Sequence, residues 1–360
     1  MHLSELRIDD LRNIECLEWA PERGWNVLIG PNGAGKTSVL EAVFLLSHGR
    51  SFRGGTRDAL SRIGSDGYAV FGHVVGQGGA VARVGLARSG RGLEARIGGE
   101  SCGLAELTLR SAAVCFEPGS HDLIDGASDV RRRCLDWGLF HVEPRFLACW
   151  RRYQRAIRQR NVVLRAEGSD RELEPWEHEA ALAGAELHTF RTGYVDALRP
   201  FVLAMLGRFL PELGAATLGY QPGWDADHSL AEALVAGRAR DRVRGHSGRG
   251  PHRADWQLAF EAAPRREHLS RGQTKLCALA VVLAQAELHA ARRGEWPIVL
   301  LDDLASELDE AHQTEVVRVV SAGAEQVFVT GTALPTALRD PIVAEAAMFH
   351  VEQGRLRRLL

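Results

Sequence analysis

The segment at residues 30–37, Gly-Pro-Asn-Gly-Ala-Gly-Lys-Thr, constrains this chain more than any other feature of its sequence. An apolar run precedes it at residues 27–29, and a helix-like segment follows at residues 38–46. In this setting the glycines let successive backbone N–H groups turn toward one anion, and the positive end of the helix faces the same point. The pattern is that of a phosphate-binding loop, so the sequence predicts that the chain binds a nucleoside triphosphate.

Roles within this loop follow from charge and reach. Lys36 is expected to contact the β- and γ-phosphates, and the Thr37 hydroxyl is expected to lie on Mg²⁺. The pair Arg12 and Asn13, which precedes the strand entering the loop, either approaches the nucleotide or forms a solvated turn. The predicted nucleotide contacts are Gly30, Pro31, Asn32, Gly33, Ala34, Gly35, Lys36, Thr37 and Ser38, with Arg12 and Asn13 as further candidates.

A second group of polar residues follows the apolar residues 297–301, which lead directly into Asp302 and Asp303. This pattern places two carboxylates at the exit of a buried parallel strand. Asp302 is expected to hold Mg²⁺, and Asp303 to orient and deprotonate a water in line with the γ-phosphate. Lys36 and Asp303 are therefore the predicted catalytic residues.

A third motif, Ser-Arg-Gly-Gln-Thr-Lys at residues 270–275, opens an apolar helix predicted to reach about His289. Ser and Gly at a helix N-terminus form an anion site, although Ser270 alone also suits a simple helix cap. Of the 44 basic residues, only Lys36 and Lys275 are lysine. Lysine in an arginine-rich chain indicates a position where a compact ammonium is required and a planar guanidinium does not serve as well.

Length and composition limit the class of protein. The 360 residues, of which 45% are hydrophobic, leave room for two domains. The chain shows neither a signal-peptide pattern nor about 18 consecutive apolar residues, so we expect a cytoplasmic protein without a membrane segment. Its six cysteines are scattered, which favours buried free thiols in a reducing compartment over a zinc site.

Patterning separates strand-rich ends from a helical middle. Alternation at residues 68–97 predicts an antiparallel sheet of short strands, and apolar runs at 112–116, 298–301 and 327–330 predict buried strands. Residues 348–356 predict a closing hairpin. In the middle, residues 146–165 have apolar side chains at helical spacing, a second helix is predicted to end at Pro200, and a third is predicted at 201–210. The fold class is therefore α/β with an inserted helical arm.

The helical middle is also strongly basic. Residues 131–165 contain ten arginines against two acids, and more arginines occur in a glycine-broken stretch at 238–253 that predicts a mobile loop. This bias favours contact with a nucleic-acid backbone, and a face for an intramolecular or protein partner is the alternative. The candidate DNA contacts are Arg131, Arg132, Arg151, Arg155, Arg158 and Arg244.

Taken in this order, the motifs resemble those of the ABC-type ATPase superfamily, and more narrowly the RecF family of bacterial DNA replication and repair proteins. The resemblance runs nearly end to end and includes segments that few other families share, at residues 49–53, 131–136, 159–161 and 250–253. It implies an ABC-type ATPase head, in which a P-loop mixed sheet adjoins an antiparallel β subdomain, with an inserted α-helical arm. The implied parts are the head at residues 1–125, the arm at 126–244 and the head again at 245–360.

This resemblance implies that residues 270–273 contact the γ-phosphate of ATP bound to a second subunit, in an ATP-dependent homodimer. The implied contacts are Ser270, Arg271, Gly272 and Gln273, together with Ser306 and Asp309 from the segment after Asp303. The dimer would close on double-stranded or gapped DNA and assist recombinase loading with RecR and RecO. Weak, DNA-stimulated hydrolysis would release it.

Two departures from transporter ATPases bear on the rate of hydrolysis. Asp303 stands where transporters have a glutamate, so its carboxylate is one methylene further back, and residues 330–332 (Thr-Gly-Thr) include no switch histidine. Slow hydrolysis is the expected consequence. Two other functions stay open: the ATPase subunit of a transporter, which needs no basic arm, and a DNA scaffold in which ATP is only structural.

Overall fold

A computed structural model describes residues 1–55, 57–90, 92–339 and 346–359. The chain forms two compact units, one from Met1–Ser120 with Lys275–Leu360 and one from His121–Thr274. The predicted arm, residues 126–244, lies within the second unit. That unit continues to Thr274 because the strand Asp255–Phe260 pairs with the strand Ala216–Gln221.

The first unit is built around a six-stranded mixed sheet in the order β14-β13-β3-β12-β11-β8. These strands are β3 (Gly24–Ile29), β8 (Ala113–Phe116), β11 (Ile298–Leu301), β12 (Gln326–Gly331), β13 (Ala347–Glu352) and β14 (Arg355–Arg358). The pairs from β13 to β8 are parallel, and β14 closes an antiparallel hairpin with β13. The carboxyl ends of the parallel strands therefore meet at one edge, which is where α/β sheets bind ligands.

An antiparallel six-stranded sheet completes the strand content of this unit, in the order β2-β1-β4-β5-β6-β7. Its strands are β1 (His2–Leu11), β2 (Ile14–Trp19), β4 (Tyr68–Val75), β5 (Val81–Ser89), β6 (Gly92–Ile97) and β7 (Glu100–Cys102). The predicted strands at residues 68–97 and the closing hairpin are present. Together with the mixed sheet, they confirm the predicted head architecture.

Two long helices pack in the first unit. Helix α1 (Lys36–His48) follows β3 and is buried almost throughout, whereas α2 (Leu104–Thr108) is a short turn. Helix α8 (Arg271–Arg293) carries the third motif, and the division between the units falls near its start. Of the helices within the described residues, α8 alone is long and apolar enough to cross a membrane, but it is mostly buried inside the protein. We interpret it as a core helix.

The second unit is mainly helical. Its helices are α3 (Asp122–Asp125), α4 (Ser128–Val142), α5 (Phe146–Arg165), α6 (Asp170–Phe209) and α7 (Leu230–Arg244), and its two strands are β9 (Ala216–Gln221) and β10 (Asp255–Phe260). The inserted helical arm is therefore confirmed.

The first unit also contains the four-residue helix α9 (Leu304–Glu307) and the 12-residue helix α10 (Glu310–Ser321).

The prediction that a helix ends at Pro200 is wrong. Helix α6 continues through Pro175 and Pro200 as one element of 40 residues. A proline inside a helix costs about 3 kcal/mol. Buried Leu198, Val202 and Leu206 offset this cost, since each fully buried side chain of this type contributes about 1.5–3 kcal/mol.

The prediction of a mobile loop at residues 238–253 is also wrong for its first part. Helix α7 extends to Arg244, begins with a capping box between Ser229 and Glu232, and ends at Gly245, whose φ is 68°. Both signals were in the sequence, but the run of arginines and glycines concealed them. The expectation of buried cysteines holds for Cys149 and Cys277, whereas Cys102, Cys115 and Cys134 are partly exposed and Cys16 is exposed.

Candidate functional site

The phosphate loop connects β3 to α1 at the carboxyl edge of the mixed sheet. Gly30 is required by close approach, because a Cβ there would lie 2.2 Å from the carbonyl oxygen of Val351 in β13. Gly35 has φ 111°, a left-handed conformation that disfavours side chains. These two positions therefore require glycine in the backbone shape that the loop has.

Two neighbouring segments brace the loop. Asn13 donates from Nδ2 to the carbonyl of Gly33 (2.9 Å) and accepts from the Ser38 hydroxyl (3.0 Å). The N–H of Gly354, in the turn between β13 and β14, donates to the carbonyl of Ala34 (2.8 Å). Asn13 thus braces the loop from an exposed turn between β1 and β2, and its contact with the nucleotide stays a prediction.

Lys36 lies over the loop that precedes it. Its ammonium donates to the carbonyls of Gly30 (2.7 Å) and Pro31 (2.9 Å), and one of its three N–H groups is left to reach an anion. Burial lowers the pKa of Lys36, while Asp303 and Asp302 act in the opposite direction. The loop thus holds a positive charge among its N–H groups.

Asp302 is the centre of a small cluster of oxygen atoms. The hydroxyl of Thr37 donates to its Oδ1 (2.9 Å), and the hydroxyl of Thr330 donates to the same atom (2.6 Å). Burial raises the pKa of Asp302, and the hydrogen bonds from Thr330 and Thr37 act in the opposite direction. The predicted magnesium pair, Thr37 and Asp302, is therefore brought together from two parts of the chain 265 residues apart.

Asp303 follows in an unusual backbone conformation. Its φ is 53°, in the left-handed region that non-glycine residues adopt rarely and mostly at functional sites. Its N–H donates to the Thr330 hydroxyl (2.9 Å), so the threonine joins both aspartates. Thr330 therefore belongs to the site, although the sequence had indicated only that this position lacks the histidine of transporters.

Arg12 reaches the site through a buried partner. Its guanidinium makes a bidentate pair with Glu41 (2.8 Å to each oxygen), which is fully buried in α1, and also donates to the carbonyl of Ala59 (2.7 Å). The Ser51 hydroxyl donates to the same carboxylate. The pair fixes Arg12, which lies in the same turn as Asn13, at the edge of the site, and its contact with the nucleotide likewise stays a prediction.

These residues surround one cavity of about 720 Å³ in the first unit. Its lining includes the predicted residues Arg12, Asn13, Asn32, Gly33, Ala34, Gly35, Lys36, Thr37, Ser38, Asp302 and Asp303, and also Arg53, Ile63, Glu117 and Thr330. The prediction missed these last four because they lie far from the motifs in sequence. Glu117 follows β8 and Thr330 lies near the end of β12, so a polar residue after an apolar strand was the available signal.

The third motif forms a helix cap in the second unit. The Ser270 hydroxyl accepts from the N–H of Gln273 (3.2 Å), and the Gln273 side chain accepts from the N–H of Ser270 (3.0 Å). Arg271 and Gly272 form the first turn of α8. The simple cap is therefore present, and it leaves the turn exposed.

Ser306 and Asp309 lie beyond Asp303 in the first unit. Ser306 is exposed, and its N–H donates to the carbonyl of Asp303 (2.9 Å). Asp309 caps α10 by accepting from the N–H of His312 (3.0 Å). Neither residue belongs to the lining of the nucleotide cavity given above.

The ten arginines of residues 131–165 comprise five with acidic partners, four exposed ones without an ion pair within the described residues, and Arg132. Five have acidic partners, most of them distant in sequence: Arg131 with Asp255, Arg133 with Asp129, Arg145 with Glu186, Arg152 with Glu179, and Arg160 with Glu177 and Asp241. Arg131 is 4% exposed, and Arg132 donates to Ser128 and to the carbonyl of Ala254. The prediction that Arg131 contacts DNA is therefore wrong, since its guanidinium is buried and paired.

A second group forms what we name the α5 arginine face: Arg151, Arg155, Arg158 and Arg165. These side chains are exposed, recur at a spacing of three, four or seven residues, and make no ion pair within the described part of the chain. A surface depression of about 440 Å³ is lined by Arg155, Arg158 and Arg165 among others. Arg244, at the end of α7, is also exposed. Arg165 was not among the predicted contacts.

Comparison with known proteins gives close relatives over the whole chain. The "DNA replication and repair protein RecF" of Stenotrophomonas maltophilia is 45% identical over 99% of both chains, and that of Xanthomonas oryzae pv. oryzae (strain MAFF 311018) is 47% identical over 99% of this chain and 100% of its own. The same protein of Azotobacter vinelandii is 40% identical, over 99% and 98% of the two chains. A family model described as "AAA domain, putative AbiEii toxin, Type IV TA system" matches residues 25–69.

Solved structures agree in fold. RecF-ATP and RecF-ATPrS, structures of a recombination mediator protein in the RecFOR pathway, superpose with TM-scores of 0.89 and 0.87 at 23% and 24% identity. Both comparisons cover all of this chain and 98% of the other. An Smc head bound to the C-winged helix domain of ScpA has a TM-score of 0.61 at 14% identity, covering 100% of this chain and 97% of the other. From its identity to curated relatives over nearly its full length, the chain belongs to the family of the DNA replication and repair protein RecF.

Proposed function

We propose that this protein is an ATP-dependent DNA-binding protein of recombinational repair, whose two copies enclose ATP and close on double-stranded or gapped DNA. One observation carries the proposal. Lys36, Thr37, Asp302 and Thr330 converge at the carboxyl edge of one sheet, although they come from three separate parts of the chain. A phosphate loop with a charged lysine and a carboxylate beside its threonine is the arrangement that binds a nucleoside triphosphate.

The residues present fit Mg²⁺. This ion prefers hard oxygen ligands and is commonly held by one or two carboxylates together with substrate phosphates. The Thr37 hydroxyl and the Asp302 carboxylate are such ligands, and they already lie 2.9 Å apart. When bound, the ion would neutralise charge on the β- and γ-phosphate oxygens. The transporter alternative is disfavoured by the family to which the relatives belong.

Asp303 is the proposed general base for weak, DNA-stimulated hydrolysis. Its backbone N–H is held by the hydrogen bond to Thr330 (2.9 Å), which fixes the position from which its side chain extends. Aspartate is one methylene shorter than glutamate, and a longer distance to the attacking water would slow proton removal. Slow turnover suits a protein in which the ATP-bound state, rather than the rate of hydrolysis, determines the outcome.

The other half of the site is proposed to come from a second copy. The lining of the nucleotide cavity belongs to the first unit, whereas Ser270, Arg271, Gly272 and Gln273 belong to the second. Their exposed turn presents backbone N–H groups and the positive end of a long helix, which suits a γ-phosphate. Ser306 and Asp309 are proposed to contribute to the same composite site.

DNA is the proposed partner of the α5 arginine face. The face spans 15 residues, or about 21 Å of helix, and its arginines make no ion pair within the described residues. A duplex presents one phosphate charge per about 1.7 Å of axis, so several contacts are possible at once. Arg132 and Arg244 are secondary candidates, and RecR with RecO are proposed protein partners from the family.

The S270R variant tests the composite site. It should bind ATP as the wild type does, because Ser270 is not part of the chain's own cavity lining, but it should not dimerise. Affinity is measured by titration with a fluorescent ATP analogue, and mass by light scattering with ATP, with ADP and without nucleotide. Wild-type protein that stays monomeric with ATP, or S270R that still dimerises, would contradict the proposal.

A separate assay of ATP turnover, with and without DNA, distinguishes the proposed switch from a DNA scaffold in which ATP is only structural. The scaffold should hydrolyse ATP under neither condition.

A further inference from the structure

Lys275, one of the two lysines in the chain, has a partner that the proposed function does not use. Its Nζ lies 2.6 Å from Oε2 of Glu307, with the lysine side chain 26% exposed and the glutamate 11% exposed. The Oε2 atom is shielded from solvent and makes no well-angled hydrogen bond, so the attraction is mainly coulombic. A shielded carboxylate oxygen of this kind depends on its cation for compensation.

Glu307 ends the short helix α9, which begins directly after Asp303. The segment is anchored at both ends by Leu304 and Leu308, which are buried, and the N–H of Leu308 donates to the carbonyl of Leu304 (3.2 Å). Ser306 lies between them with its N–H on the carbonyl of Asp303. Any displacement of Glu307 therefore acts on the backbone that carries Asp303 and Ser306.

Lys275 lies at the start of α8, two residues after Gln273. The capping turn at residues 270–273 and Lys275 belong to one continuous helix, so a shift of that helix moves the ammonium with it. The pair thus connects the helix that begins at the capping turn with the segment that begins at Asp303. One element is proposed to contact ATP held by the second copy, and the other to act on ATP held by the chain itself.

We propose that Lys275 and Glu307 are positioning residues that couple these two elements, so that engagement of the second copy's nucleotide by residues 270–273 sets the position of Asp303. This inference rests on the proposed function. A rigid helix with an ion pair at its first turns can transmit a displacement, whereas two solvated side chains could not. The lysine is explained at the same time, because a single short contact to one oxygen suits a compact ammonium better than a guanidinium fork.

The test compares K275M and E307Q with the charge-reversed double variant K275E/E307K. Each single substitution should lower kcat by about tenfold while ATP affinity and ATP-dependent dimerisation stay within about twofold of wild type. The reversed pair should recover most of the rate, since it restores the attraction with the charges exchanged. The matched control is R318M, which removes an exposed ion pair with Glu315 on α10 and should change none of these quantities.

Amide hydrogen exchange gives a second measurement that does not depend on turnover. Exchange within residues 303–309 should rise in both single variants and return toward wild type in the reversed pair. Unchanged kcat and exchange in the single variants, or a reversed pair no better than they are, would overturn the inference. If the wild type neither dimerises nor hydrolyses ATP, the proposed function fails, and exchange alone then decides for or against the ion-pair coupling.

Discussion

His252 shows how one side chain holds an irregular segment of the second unit in place. Its Nε2 donates to the carbonyl of Ser247 (2.9 Å), so Nδ1 is free to accept from the hydroxyl of Tyr153 (2.6 Å). Gly250 is required beside them, since a Cβ there would lie 2.5 Å from that hydroxyl. Both ring nitrogens are therefore used by the neutral imidazole, and they connect the segment at 245–253 to Tyr153 of α5.

Stability should fall in acid because of this histidine. Burial lowers the pKa of His252 to about 4, from the 6.5 that is usual for histidine. Between these values the unfolded chain binds the proton and the folded chain does not, so the contribution is complete above pH 6.5 and is lost as pH falls. From about pH 7.5 to about pH 4.5 the loss is about 2.5 kcal/mol.

The measurement is urea unfolding across this pH range for wild type and H252Q, in which the glutamine can still donate and accept. Other groups titrate in both proteins, so the difference between the two curves isolates the histidine. H252Q should lose less stability than wild type by about the amount given above. Equal losses in both proteins would show that His252 does not contribute.

At the residue scale, local motifs were predictable and their distant partners were not. Lys36, Thr37 and Asp302 could be assigned because each stands at a fixed offset from a strand or a glycine. Thr330 could not, since its role depends on β12 lying beside β11. The excess of arginines over acids in residues 131–165 was misleading at Arg160 for the same reason. Its acidic partners Glu177 and Asp241 lie outside that stretch, 17 and 81 residues away.

At the scale of elements, hydrophobic periodicity and segment length predicted the strands and most helices. Helix-breaking residues, however, led to wrong predictions of where two helices lie. Pro200 indicated an end that α6 does not have, because its other side chains remain buried on the same face. Helix α7 was hidden by Gly237 and by arginines, two of which pair with acids of α6. Two segments that carry the family resemblance, at 159–161 and 250–253, make buried polar contacts in the same unit. Arg160 donates to Asp241 of α7, and His252 donates to the carbonyl of Ser247. Their value as signatures therefore reflects packing as well as function.

The α5 arginine face makes a prediction about salt. The variant R151Q/R155Q/R158Q should bind duplex DNA more weakly, because three phosphate contacts are lost. The slope of log K against log salt concentration should then become shallower by about 2.7, at about 0.9 per contact. Binding is measured by fluorescence anisotropy with ATP at several salt concentrations.

The control for this variant removes the same charge from paired positions. R133Q/R145Q/R152Q changes three exposed arginines that have acidic partners in Asp129, Glu186 and Glu179. It should leave the salt slope close to that of wild type, since these charges are already neutralised. Equal effects of the two variants would mean that net charge alone, and not this face, attracts DNA.

At the scale of the whole molecule, the chain carries two half-sites that the proposal requires to meet in different copies. Each copy has a phosphate loop with Lys36 in its first unit and a capping turn with Ser270 in its second. A homodimer then has two composite sites, each made from the loop of one copy and the turn of the other. In the alternative arrangement, the loop and the turn of the same chain would form one site.

Mixing two inactive variants tests that arrangement. K36M lacks the loop charge and S270R lacks the capping serine, so neither should form a stable ATP-dependent dimer alone. A mixed dimer has one site with both defects and one with neither, because the intact loop of S270R meets the intact turn of K36M. Equal mixing should therefore restore ATP-dependent association and part of the hydrolysis, measured by light scattering and phosphate release. A mixture as inactive as its components would mean either that both halves lie in one chain or that closure requires two intact sites. The double variant K36M/S270R mixed with wild type separates these outcomes. If the two halves come from different copies, its mixed dimer has two half-defective sites and should not associate.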